Sequence, residues 1–296
     1  MQKQRHFFIG KGGVGKSTVS SLFSTEKALK GKKTLLVSMD PAHNQSDIFK
    51  RKFSQKVTEI DDCLDVIEVD EKYWKEKYLN ETEEDIKSNY SYESAFNLSK
   101  YFNVLRYSPG IEEHALILGY VDVLNNHKGY DYYIFDMPPT ALTIKFFLLP
   151  SVSMLWLEEL LNLRNKILEK KEIISKVKFG KKEIERDKIK NKLNILLERY
   201  KKINKNFKNE NTNINMILNC DMLSLRESKR MEKKLNSVDL KLNRIIINKV
   251  KKQDYAREIK KEFKHDKVSI YKYSDIQLIG YNKLKRYLEK YEVVRI

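Results

Sequence analysis

GKGGVGKST, residues 10–18, decides how this chain is read. It holds the spacing G-x-x-x-x-G-K-[ST], with Gly10, Gly15, Lys16 and Ser17 in the specified places. The apolar run Phe7-Phe8-Ile9 precedes it, and a helix-forming stretch from Val19 to Lys30 follows, closed by Gly31. A strand, a glycine-rich turn and a helix in that order make a cradle for phosphate. Glycine lets main-chain N–H groups converge without Cβ clashes, and the helix adds unsatisfied amides and its positive dipole end. Gly10, Gly12, Gly13, Val14 and Gly15 are therefore expected to wrap a phosphate, with Thr18 beside it in the first helical turn. Lys16 is expected to neutralise the β- and γ-phosphates, and Ser17 to offer its hydroxyl to Mg2+. The implied ligand is ATP with magnesium. Four of the ten glycines fall in these nine residues, so the cluster has a local cause.

Outward from the loop, short apolar runs alternate with helical stretches. The predicted strands are His6–Ile9, Thr34–Ser38, Leu64–Val69, Asn103–Tyr107, Tyr132–Phe135, Ile214–Asn219, Arg244–Asn248 and Val268–Tyr271. Most are continuous apolar runs, the mark of strands buried on both faces. The expected fold class is α/β: a doubly wound, mainly parallel sheet with helices on each side. Residues 1–296 are read as one such domain carrying two helical insertions, at about 71–100 and 151–209, that form a helical subdomain. In the second, Ile189, Leu193, Leu196, Tyr200, Ile203 and Phe207 recur at helical spacing. That pattern predicts a hairpin of helices over about 155–178 and 184–208, turning near Gly180; the stripe either lines a groove for a membrane-anchor helix or packs the hairpin on itself.

Composition narrows the class. The chain is 41% hydrophobic, enough for a sizeable core, so global disorder is excluded. Two distant cysteines, Cys63 and Cys220, argue against a disulfide framework and suit a reducing cytoplasm. No secretion signal or transmembrane segment is expected, because the apolar run from Phe146 to Leu149 stops at Pro150. The net charge is +17, and residues 161–209 alone hold 17 Lys/Arg against 6 Asp/Glu. Such a balance describes solubility and encounter more than function, and nucleic acid is not the expected partner.

Two acidic segments follow predicted strands. DPAHNQSD, residues 40–47, comes after Thr34–Ser38; FDMPPTALTIKFFLLP, residues 135–150, comes after Tyr132-Tyr133-Ile134. In each, a strand ends in Asp with Pro close behind, which stops the strand where the carboxylate emerges. Ligands of doubly wound sheets sit at such carboxyl ends.

GKGGVGKST, DPAH-N-x-SD and FD-x-x-PT-x-x-T-x-[KR]-F-x-x-LP, in this order, resemble the ArsA/GET family of ATPases. SPGIEEHA (108–115) and CDMLSLRESKR (220–230) also look like family segments. The resemblance implies a phosphate-loop NTPase in which Lys11, the lysine after the first glycine, reaches the nucleotide of a partner subunit. The active form would be a homodimer, or a dimer with a similar chain. It also implies that Asp40 positions the attacking water near the metal with Asn44 beside it, that His43 shapes the loop, that Asp136 holds Mg2+, and that Asn248 reads the adenine edge. The expected role is ATP hydrolysis driving an anion or metalloid transporter, or handling a membrane-protein client, in the cytoplasm or peripherally at the membrane. Some family features are absent. There is no CxxC pair, Cys63 and Cys220 match no metalloid cluster, Ala141-Leu142 replace a Gly-His pair of the targeting factors, and YSDIQLIG (273–280) lacks a proline. Two other readings stay open: a partition or positioning ATPase acting on membrane or DNA, for which the basic, helix-forming end KLKRYLEKYEVVRI speaks, and an ATP-dependent binding module with negligible turnover.

Overall fold

A computed structural model describes residues 3–42, 44–89, 108, 110–179, 187–251, 259, 262–263 and 267–295. In chain order the elements are β1 (Gln4–Gly10), α1 (Lys16–Leu29), β2 (Thr34–Ser38), α2 (Asn44–Phe49), β3 (Thr58–Asp61), β4 (Leu64–Glu68), α3 (Glu71–Asn89), α4 (Ile111–Asn126), β5 (Tyr132–Asp136), α5 (Thr140–Phe179), α6 (Lys188–Phe207), β6 (Thr212–Asn219), α7 (Met222–Asn236), β7 (Arg244–Val250), β8 (Val268–Lys272), α8 (Tyr281–Lys290) and β9 (Val294–Arg295). The strand expected at Asn103–Tyr107, His43 and the turn at Gly180 lie outside the described residues.

Among the described residues, one nine-stranded sheet runs in the order β3-β4-β2-β5-β1-β6-β7-β8-β9. From β4 to β8 every pairing is parallel; β3 and β9 close the two edges antiparallel. The apolar runs sit where burial on both faces requires them, with Phe7, Phe8, Ile9, Leu35, Leu36 and Val37 fully buried. β3 (TEID) and β9 (VR) are absent from the predicted strands because neither carries an apolar run. Their neighbours' main-chain hydrogen bonds make them strands, and charged edges discourage further pairing. The chain passes from β1 to β2 with β5 between them, and crosses to β6 on the other side only later. The crevice for a ligand opens where that order reverses.

α1 packs Val19, Leu22 and Phe23 into a core cluster that also takes Leu284 and Tyr287 of α8. The Tyr287 hydroxyl donates to the Lys272 carbonyl at 2.7 Å. The terminal segment is therefore not helical throughout, as its composition suggested. The helix ends at Lys290, Val294–Arg295 pair with β8, and the apolar face is spent on the core rather than offered to a membrane.

The chain divides into two compact units, residues 1–146 with 210–296, and residues 147–209. The second has its own small core, in which Leu157 and Leu161 of α5 meet Leu197 of α6, flanked by Met154, Leu193, Leu196 and Tyr200. The expected helix bounds need correction. α5 starts at Thr140 and continues through Pro150, although a proline leaves the carbonyl four residues back, that of Phe146, without its donor. The fully buried Phe146 and Phe147 hold the helix across it. α6 starts at Lys188 because Asp187 caps it: Oδ1 accepts from the amides of Ile189 and Lys190 at 3.0 and 3.1 Å. Arg164 grips the same carboxylate with Nε and Nη2 at 2.8 and 3.2 Å. Because α5 passes through Pro150, one helix, Thr140–Lys170, is long and apolar enough to cross a membrane by length and composition alone, and 33% of its apolar window is buried.

Candidate active site

β1 ends at Gly10, where a Cβ would stand 2.3 Å from the Ile217 carbonyl oxygen of β6. Gly15 caps α1 at φ 92°, and a Cβ there would stand 2.5 Å from Asn248 Nδ2. Both positions need glycine for space and for backbone. Gly12 and Gly13 are exposed and face open space, while Val14 is buried and anchors the loop in the core. α1 begins at Lys16, so the amides of its first turn, Ser17 and Thr18 among them, have no acceptor within the helix. Backbone donors thus stand at the carboxyl end of β1.

Lys16 is only 6% exposed. Burial pulls its pKa below the usual lysine value, and the negative charges of Asp136, Asp40 and Glu227 oppose that pull. Asp40 follows β2 and is 6% exposed. Its Oδ1 accepts from the Ala42 amide at 3.0 Å, and its Oδ2 accepts from Asn44 Nδ2 at 3.4 Å. The turn that Pro41 permits therefore brings Asn44, first residue of α2, back over the carboxylate. Asp136 ends β5 and is fully buried, with Oδ2 accepting from Gln45 Nε2 at 2.8 Å. Its pKa is pushed up to about 6, above all by burial and further by Asp40; the Ser17 hydroxyl, the Gln45 amide and Lys16 hold it from rising more. Its Oδ1 is buried without a hydrogen-bond partner.

Magnesium can be tested against these groups. A buried carboxylate oxygen lacking any donor, beside a serine hydroxyl, is what a hard cation with oxygen ligands requires. Among the described residues no three His, Cys, Asp or Glu side chains gather to hold a metal unaided. That also suits Mg2+, which keeps several waters and takes few protein ligands. Three carboxylates facing one lysine would repel a triphosphate, and a divalent cation removes that objection. The residues present fit the ion.

Two contributors escaped the sequence reading. Gln45 is fully buried in α2 and joins both halves of the site. Its Nε2 lies 2.8 Å from Asp136 Oδ2 and 3.2 Å from the Ser17 carbonyl, and its Oε1 accepts from Ser21 Oγ at 2.6 Å. It lies inside DPAHNQSD, but no spacing distinguishes it from its neighbours. Glu227 of α7 accepts from Thr140 Oγ1 at 2.6 Å and is felt by Lys16. It lies in CDMLSLRESKR, and only the fold carries it to the loop. Asn248 is buried in β7 and donates Nδ2 to the Val14 carbonyl at 2.8 Å, so the structure places it against the phosphate loop. Lys11 is half-buried, and no contact with a carboxylate is found for its ammonium among the described residues.

A glycine-rich loop between a central parallel strand and a helix, backed by two strand-end aspartates, defines an α/β phosphate-loop NTPase. The model of the anion-transporting ATPase family, ArsA, matches residues 4–290, and the chain belongs to that family. It is an ATPase of the ArsA/GET type. A putative arsenical pump-driving ATPase 2 of Aquifex aeolicus is 30% identical over 300 residues, covering 95% of this chain and 96% of that protein. An ASNA1 homolog ATPase of Plasmodium falciparum is 30% identical over 82% of this chain and 62% of its own length. A putative arsenical pump-driving ATPase of Halobacterium salinarum is 42% identical over 147 residues, only 22% of its length. This chain therefore spans nearly the whole of the first, under two thirds of the second and about a fifth of the third.

Proposed function

We propose that this ATPase works with Mg2+ as a nucleotide-gated dimer, in the cytoplasm or peripherally at a membrane. In this reading it passes the energy of hydrolysis to a membrane partner, either an anion or metalloid transporter or a membrane-protein client. The observation that carries the chemistry is the buried set of Lys16, Asp40 and Asp136 at the carboxyl ends of β1, β2 and β5. Loop amides and Lys16 take the β- and γ-phosphates. Ser17 and Asp136 would hold the magnesium, and Asp40 would serve the water. When bound, Mg2+ neutralises charge that develops on the phosphates. Asp40, fixed by the Ala42 amide and Asn44, orients the attacking water and accepts its proton. Lys11 serves the nucleotide of the second subunit, and Asn248 adds an adenine contact to its hold on the loop.

The partner surface we assign is on α5. Val152, Trp156, Leu160, Leu163 and Ile167 recur along one side of that helix and are all exposed, Trp156 at 67%. The stripe on α6, by contrast, mostly packs inward, with Leu193, Leu196 and Tyr200 against α5 and Ile203 and Phe207 buried. The buried face of α8 weighs against a terminal helix that binds membrane or DNA. Asp40→Asn tests the mechanism: nucleotide affinity should persist while phosphate release falls by about 10²–10³-fold, leaving a nucleotide-trapped dimer. Undiminished hydrolysis would refute the assignment.

A further inference from the structure

Asn248 and Lys249 are adjacent in β7, and neighbours along a strand ordinarily point to opposite faces. Both nevertheless reach the phosphate loop. Asn248 Nδ2 donates to the Val14 carbonyl at 2.8 Å, and Lys249 Nζ donates to the Gly13 carbonyl at 3.1 Å. The backbone explains how. Lys249 sits at φ 56°, in the left-handed region, and the pairing of β7 with β8 shifts register between Ile247 and Val250. That bulge turns the lysine onto the same side as its neighbour, and its Cε comes within 3.9 Å of the position a Cβ would take on Gly15. Left-handed backbone is unfavourable for a residue with a Cβ, and it persists where the surroundings impose it, often at a functional site. The loop needs outside support, since the main-chain bond within it, Val14 N to Lys11 O, is long at 3.5 Å.

We infer that Lys249 is a positioning residue of the nucleotide site: it latches the Gly13 carbonyl outward so that the Val14 N–H of the same peptide turns toward the phosphate. The peptide is planar and trans, so its C=O and N–H point opposite ways, and holding one aims the other. An ammonium on the carbonyl also polarises that N–H, and its charge adds to the attraction for the phosphates. Nothing in residues 244–250 announces this role, because a lysine following a strand asparagine reads as a solvated side chain.

The inference rests on the nucleotide site described above, and the test separates the two. Nucleotide affinity and thermal midpoint are measured on Lys249→Gly, Lys249→Gln and Lys249→Arg, with Lys16→Ala alongside. Lys249→Gly relieves the backbone, so its midpoint should hold or rise while affinity for Mg-ATP weakens about tenfold, the scale of one charge-assisted hydrogen bond. Lys249→Arg should restore affinity, and Lys249→Gln should bind with a shallower salt dependence. Wild-type affinity in Lys249→Gly overturns the inference and leaves the site standing. So does a parallel loss of affinity and midpoint that arginine fails to rescue. A wild-type chain that binds nucleotide no better than Lys16→Ala would sink the site itself and the latch with it.

Discussion

In the sheet unit, Lys16, Asp40 and Asp136 are 6%, 6% and 0% exposed; in the helical unit, Leu155 and Trp156 are 66% and 67% exposed. One unit encloses charge and the other displays apolar surface. Each is unfavourable for a lone folded chain, since buried charge is desolvated and exposed apolar area orders water. The loop site offsets this cost through opposite charges facing each other and through hydrogen bonds such as that from Gln45 to Asp136. Among the described residues the stripe on α5 has no such internal partner, which is why we assign it to another molecule. The contrast teaches that the two units present different chemistry: enclosed charge in the first, exposed apolar side chains in the second.

The contrast can be broken or sharpened by substitution, beginning with the largest effect. Lys16→Ala should reduce phosphate release at least about 10³-fold, because it removes a buried cation from the loop site; a residual rate above a tenth of wild type would contradict its proposed role. Asp136→Asn should abolish turnover comparably, yet leave the apo protein more stable at neutral pH, since an uncharged side chain escapes desolvation. A calorimetric midpoint lower than wild type would break that reading. The sign for pH follows from the same group. Its folded pKa of about 6 lies above the ordinary carboxyl value of 3.8, so the native state binds the extra proton between them. This group therefore destabilises the apo fold progressively as pH rises through that window, while a cation that needs the carboxylate must displace its proton, so Mg2+ affinity of the apo chain should weaken as pH drops below about 6. Mg2+ affinity of the apo chain that stays constant from pH 5 to 7 would exclude Asp136 as a metal-side carboxylate.

In the helical unit, Leu197→Ala should cost on the order of 2–4 kcal/mol, because its side chain fills a core of few residues. Loss of helical signal in circular dichroism should precede loss of nucleotide binding on heating; a single shared transition would show that the two units do not unfold separately. The smallest effect on the isolated chain belongs to Trp156→Glu with Leu163→Glu. Both are exposed, so the thermal midpoint and basal hydrolysis should change little, while capture of a single-span membrane protein in detergent should be lost. A large drop in midpoint would mean that the stripe is structural.

Much of this was readable before any coordinates. The loop, the parallel class of the sheet and seven of its strands follow from local rules: glycine where backbone must crowd phosphate, and continuous apolar runs where both faces are buried. β3 and β9 were not legible, since a neighbour's hydrogen bonds rather than their own residues make them strands. The end of the chain is legible only in part. Its amphipathic pattern announces an apolar face but not which surface covers it, and that surface is α1.

The sequence by itself determined a glycine-rich turn between β1 and α1 and that Asp40 and Asp136 would stand at strand ends, because each depends on a contiguous motif with its own geometry. Only tertiary structure decided that Gln45 would tie the two acidic loops together, that Glu227 would face Lys16, and that Lys249 would turn back onto Gly13. Those contacts join residues 91 to 236 positions apart, or depend on a bulge between two strands. No local spacing encodes such proximity; it arises when the sheet brings the carboxyl ends of its strands together.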